Sequence, residues 1–147
     1  MRRTDDQPPE GSAVVSDIVF FIVELEIRPD QGDELEDVMQ EMADRTRADE
    51  PGTLEYQWFL NADGDACYIC ERYADADAAV AHSRSFSPEL EQRAQAFRPV
   101  RLTAFGELTP TIEEQRIEPL LAAVPDINYV SVDPRGGFAR SPAGLSS

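Results

Sequence analysis

His82 is the only histidine in the chain. Imidazole is the side chain that changes charge near neutral pH, which suits it to removing a proton from a substrate. It lies three residues after Ala79 and four before Phe86, on the inner stripe of a short helix. The segment just before it, residues 66–73, alternates as a strand, so Cys67, Ile69, Glu71 and Tyr73 share one face. If that face meets the helix, Glu71 and Tyr73 come near His82. The phenol would then hold an aromatic hydroxyl, and the carboxylate would orient the imidazole. His82, Tyr73 and Glu71 are therefore the candidate catalytic residues. Trp58, Phe86, Phe97 and Ile69 are candidates to line a substrate pocket, although Trp58 is more often core or interface and Phe86 and Phe97 suit a core better.

The rest of the sequence narrows the chemistry. It has no lysine to form a Schiff base, no Gly-rich dinucleotide loop, no P-loop and no second histidine for a metal site. No cofactor or metal is expected. Cys67 and Cys70 form a C-x-x-C, but on a strand they point to opposite faces roughly 10 Å apart. Two buried free thiols are the expected outcome. A formal net charge of −16 argues against nucleic acid and anionic membrane surfaces as partners. No apolar run is long enough to span a bilayer, and the N-terminal residues lack the apolar core of a signal peptide. A cytoplasmic location is expected.

The chain is short enough for one domain with a core of ordinary size. Residues 1–16 lack periodicity and are expected to be disordered. Residues 18–27 read as a strand, stopped by Arg28 and Pro29, with Asp30 as N-cap of the helix that follows. Leu35, Val38, Met39, Met42 and Thr46 trace the inner face of that helix. A second strand over 53–60 and the strand over 66–73 flank hairpin-turn residues 61–65. Asp75 caps the His82 helix. Ser87 and Pro88 open another, with Leu90, Ala94 and Phe97 on its inner face, and residues 100–108 read as a fourth strand.

This order is the ferredoxin-like βαββαβ arrangement, an α+β fold with a four-stranded antiparallel sheet. Helices cover only one sheet face, so a second copy of the chain is expected on the other. Residues 109–140 form an extension beyond the 17–108 domain: a helix with a capping box at Thr111, split at Pro119, then a strand over 127–132. It is expected to pack on the domain or across the partner subunit. Residues 141–147 read as frayed.

Four local patterns resemble the antibiotic biosynthesis monooxygenase family. They are Arg28-Pro29-Asp30-Gln31-Gly32 after the first strand, Glu50-Pro51-Gly52-Thr53-Leu54-Glu55-Tyr56 entering the second, Ile69-Cys70-Glu71-Arg72-Tyr73 ending the third, and Ala81-His82-Ser83-Arg84-Ser85. The resemblance covers residues 18–108 and implies a homodimeric α/β barrel. It implies a cofactor-independent monooxygenase that deprotonates a small reduced aromatic, a quinol or anthrone, and lets the anion react directly with dioxygen. A non-catalytic dimeric module that binds small molecules or serves in stress is the alternative. Haem degradation is a weaker one, since Tyr73 stands where those relatives carry a tryptophan.

Overall fold

The computed structural model describes residues 18–138 and 140; the disorder expected for 1–16 and the fraying expected for 141–147 fall outside them. Five strands form one sheet in the order β2-β3-β1-β4-β5: β1 Val19–Glu26, β2 Thr53–Leu60, β3 Ala66–Tyr73, β4 Arg98–Phe105 and β5 Asn128–Val132. The first four pair antiparallel, whereas β5 lies parallel to β4. The α+β ferredoxin-like fold is thus present. Its sheet is five-stranded and mixed instead of four-stranded and antiparallel, because the extension supplies an edge strand. The helices are α1 Gly32–Asp49, α2 Ala76–Ser83, α3 Pro88–Ala94, α4 Pro110–Ile112 and α5 Glu118–Ala123.

Local chemistry explains the element ends. Gly64 adopts a left-handed φ of 73° in the β2–β3 turn, a conformation open to glycine at no steric cost. Asn61 braces the same turn by donating to Asp65 at 2.6 Å and accepting from the Ala66 N–H. Pro99 cannot donate to the ladder, and the β1–β4 register shifts beside it. Asp75 accepts from the Ala78 N–H as N-cap of α2, and Ser87 caps α3 with Pro88 in its first turn.

Three expected local details differ. Asp30 does not cap α1; a 3-10 turn over Pro29–Gln31 leads in, and Gln31 accepts from the Arg28 N–H while donating to the Ala96 carbonyl at 2.7 Å. That tertiary bond fixes the entry more firmly than an exposed Asp30 cap would. In the extension, Thr109 is the cap in place of Thr111, with Pro110 in the first turn. Pro119 does not split the extension helix cleanly. It lacks the N–H an α-helix would direct to the Gln115 carbonyl, and the preceding turn, Glu113–Ile117, widens to a π-helix.

The helices cover one sheet face and bury two apolar clusters. One gathers Leu35, Val38 and Met39 of α1 with Leu25, Cys67, Ile69, Leu90 and Phe97. The other gathers Val19, Phe21, Tyr73, Ala79 and Leu102 with Ile112, Ile117 and Ile127, so the extension packs on its own chain's sheet. All five expected inner-face residues of α1 are buried. Cys67 is buried on the covered face, but Cys70 is only half-buried on the opposite one, since successive strand residues alternate.

Candidate functional site

His82 sits where the two clusters meet. Ring centroids of Tyr56 and Phe86, which pack on the first cluster, lie 5.0 Å from the imidazole, and that of Tyr73, in the second, lies 5.4 Å away. The α2 cap and the short connection set this placement: only Ala74 and Asp75 separate the helix from the strand that carries Tyr73. Only 4% of His82 is exposed.

A carboxylate orients the ring, but it is Glu50, not Glu71. The His82 Nδ1–H donates to Glu50 Oε1 at 2.8 Å. Thr53 Oγ1 donates to the same oxygen at 2.8 Å, and Ser85 donates a short hydrogen bond to Glu50 Oε2. Burial would raise the Glu50 pKa, but the hydrogen bonds from His82 and Ser85, the charge interaction with His82 and the Thr53 bond outweigh it and hold it below its ordinary value. An ionised carboxylate only accepts, so the hydrogen belongs on Nδ1. Nε2 has no hydrogen-bond partner among the described residues and carries the free lone pair.

Glu71 serves a different arrangement. Tyr73 donates its hydroxyl hydrogen to Glu71 Oε1 at 2.6 Å, and Arg116 Nη2 donates to the same oxygen at 2.6 Å. Arg116 Nη1 donates to the Ala79 carbonyl at 2.8 Å, and its guanidinium stacks 5.1 Å from the Phe21 centroid and 5.6 Å from that of Tyr73. Glu71 and Arg116 side chains are 6% and 13% exposed. Burial would raise the Glu71 pKa; the nearby Arg116 charge, His82 and the hydrogen bonds from Tyr73 and Arg116 hold it below its ordinary value. Burial, together with the Glu71 charge, pushes the Tyr73 phenol well above its own. Tyr56 is pushed up in the same way, by burial and then by Glu71.

The structure therefore brings His82, Tyr73, Glu71 and Phe86 together. Ile69, Phe97 and Trp58 belong to the neighbouring cluster, where Ile69 and Phe97 are buried, Trp58 packs at its margin, and Ile69 pairs across the strands with Trp58. Neither Trp58 nor Phe97 makes a ring contact with His82 among the described residues. Glu50, Thr53, Ser85 and Arg116 were not anticipated. Ser85 and Glu50 had a signal: Ser85 follows His82 by one helical turn, and Glu50 heads the turn pattern before β2. Arg116 had none, because only the π-helical turn reveals its inward aim. An open depression of ≈190 Å³ adjoins the site, lined by Ala43, Thr46, Arg47, Thr53, Leu54 and Tyr56. It is connected to the site by Tyr56, whose ring packs on the imidazole, and by Thr53, which bonds Glu50; three rings pack directly on His82. Among the described residues no group of three or more His, Cys, Asp or Glu could hold a metal ion.

A family model described as antibiotic biosynthesis monooxygenase matches residues 18–98, more than half of the chain. The chain belongs to that family. A similar fold is seen in MupZ from Pseudomonas fluorescens, 20% identical, with 89% of this chain and all of that one aligned at a TM-score of 0.66. Rv0793 from Mycobacterium tuberculosis is 29% identical, with 63% of this chain and 96% of that one aligned at a TM-score of 0.51. SnoaB from Streptomyces nogalater, described as a cofactor-independent oxygenase, is 21% identical, with 55% of this chain and 80% of that one aligned at a TM-score of 0.45. No curated protein matches the sequence. No helix among the described residues is long and apolar enough to cross a membrane.

Proposed function

We propose that this chain is a cofactor-independent monooxygenase acting on a small reduced aromatic of the quinol or anthrone type. One observation carries the reading: a buried imidazole whose Nδ1 is tied to an ionised carboxylate while Nε2 is left uncommitted among three aromatic rings. In this reading Nε2 of His82 takes the acidic proton of the substrate. The electron-rich anion then reacts directly with dioxygen. For an anthrone the methylene carbon becomes a carbonyl and the second oxygen atom leaves as water, so the substrate supplies every electron.

The remaining residues have defined parts. Glu50 holds the tautomer and balances the imidazolium. Tyr73 is fully buried, with its hydroxyl hydrogen committed to Glu71 and its oxygen facing Arg116, so it packs on the imidazole and holds Glu71 in place. When His82 takes a proton, Glu50 and Glu71 face two cations, His82 and Arg116, and the cluster is neutral. The open depression beside Tyr56 and Thr53, ≈190 Å³, is comparable in volume to a cavity of about 150 Å³ that holds one aromatic ring.

The partners follow from the same reading: a small aromatic substrate, dioxygen and a second copy of the chain on the uncovered sheet face. A non-catalytic dimeric binding module is the second reading. It is favoured by the direct packing of three rings on the imidazole and by a depression that His82 does not itself line. Oxygen uptake over a panel of quinols and anthrones separates the two. The oxygenase reading expects uptake that His82→Ala abolishes. Saturable quenching of Trp58 fluorescence by the same compounds, with uptake no faster than in buffer, expects the binding module.

A further inference from the structure

We propose that Arg116, supplied by the extension beyond the family-matched segment, is a positioning residue that ties Glu71 of β3 to α2 and sets the charge environment of His82. It rests on the reading of His82 as the working base. Three observations lead to it. The guanidinium spans two elements, donating one Nη to Glu71 on β3 and the other to the Ala79 carbonyl on α2. Ala79 and His82 lie one helical turn apart on α2, so a clamp on the first fixes the height of the second above the sheet. The turn that delivers Arg116 is π-helical, and the extra residue of such a turn re-aims a side chain that an α-helix would direct elsewhere.

The electrostatic consequence follows from the charges around the imidazole. His82 is approached by Glu50 from the end of α1, by Tyr56 of β2, by Glu71 and Tyr73 of β3, and by Arg116 through Glu71. Glu50 is bonded to the ring directly. Glu71 is a second carboxylate nearby, and without a counter-charge it would compete with the substrate for influence over the imidazole proton. Arg116 cancels it. Tyr73 and Arg116 both donate to the same Glu71 oxygen, Oε1, so the carboxylate is held from two sides.

Since His82 is the only histidine, one imidazole signal reports the site without ambiguity in tag-free, nitrogen-15-labelled protein. The experiment follows its ring resonances through a pH titration in wild type, Arg116→Met, Glu71→Gln and the double variant, each checked for native circular dichroism. Arg116→Met leaves an unbalanced carboxylate and moves the imidazole midpoint up by about half a pH unit or more. Glu71→Gln leaves an unbalanced guanidinium and moves it down by a similar amount. The double variant returns it close to wild type. Shifts in the same direction, or unchanged midpoints in folded Arg116→Met and Glu71→Gln, overturn the proposal. Arg116→Lys retains the charge and is expected to titrate like wild type, so with Glu71→Gln it decides the matter should Arg116→Met not fold. The titration needs no substrate, so a failure of the oxygenase reading, seen as absent turnover, is distinguishable from a failure of this one.

Discussion

At the scale of single residues, the site is two buried carboxylates used differently. Glu50 is held by three donors and faces the imidazole, whereas Glu71 is matched by a guanidinium. Replacing His82 by Ala is expected to lower quinol- or anthrone-dependent oxygen uptake by about 10²–10⁴-fold, the usual worth of a positioned base. Glu50→Gln can donate to Nδ1 and select the wrong tautomer, so a loss of about 10²-fold in kcat with little change in KM is expected. The same two carboxylates give the fold an acid limit. Both have folded pKa values held below the ordinary 4.5, so at neutral pH the unfolded chain and the folded protein carry them equally ionised. As pH falls through 4.5 the unfolded chain takes up protons first, and the stability they contribute is lost progressively down to their folded values. Urea midpoints measured between pH 7 and about pH 3 should fall on the acid side, and Glu71→Gln should flatten that fall while lowering the midpoint at pH 7.

At the scale of elements, what positions His82 is the seating of α2 against the turn before β2. Gly52 passes so close to the helix that a Cβ there would meet the Ala78 Cβ at 2.8 Å. Gly52→Ala should therefore destabilise by about 1–3 kcal/mol and disturb the Glu50–His82 contact next to it, seen as a lower melting temperature together with a shifted imidazole signal. Elements made by local chemistry were legible in the sequence: the span of β3, the Asp75 cap and the Ser87–Pro88 start all follow from neighbours a few residues apart. The shared face of Glu71 and Tyr73 was legible for the same reason, since alternation alone dictates it. Features made by distant contacts were not. Gln31 bonds Ala96, Glu50 bonds His82 across 32 positions, and Arg116 bonds Glu71 across 45, separations no periodicity encodes. The partner of β5 was hidden too, because a strand pattern states which face is apolar and not which edge it joins.

At the scale of the whole molecule, a second copy is the proposed occupant of the uncovered sheet face. Phe20 and Phe105 stack at 4.9 Å across β1 and β4, Arg72 sits over Phe20 at 5.4 Å, and Ile22, Tyr68 and Phe59 extend the apolar patch along the same face. Phe59 and Tyr68 are 49% and 38% exposed, and they are opposite one another in the β2–β3 register. Exposed apolar side chains grouped on one sheet face suit an interface, and a two-fold axis through the sheet would bury them against their copies. The net charge of −16 opposes that association, since two such chains repel until salt screens them. Sedimentation should therefore give a homodimer whose dissociation constant falls as salt rises from about 0.01 M to 0.15 M, where the Debye length shrinks from roughly 30 Å to 8 Å. Ile22 pairs with Cys70 and Thr103 on the central strand, in the middle of the patch and away from the His82 side. Ile22→Asp should yield a folded monomer with the imidazole titration of wild type if the subunits build their sites separately. A wild-type protein that sediments as a monomer at micromolar concentration in moderate salt would leave this face without its expected occupant and remove the homodimer from the proposal.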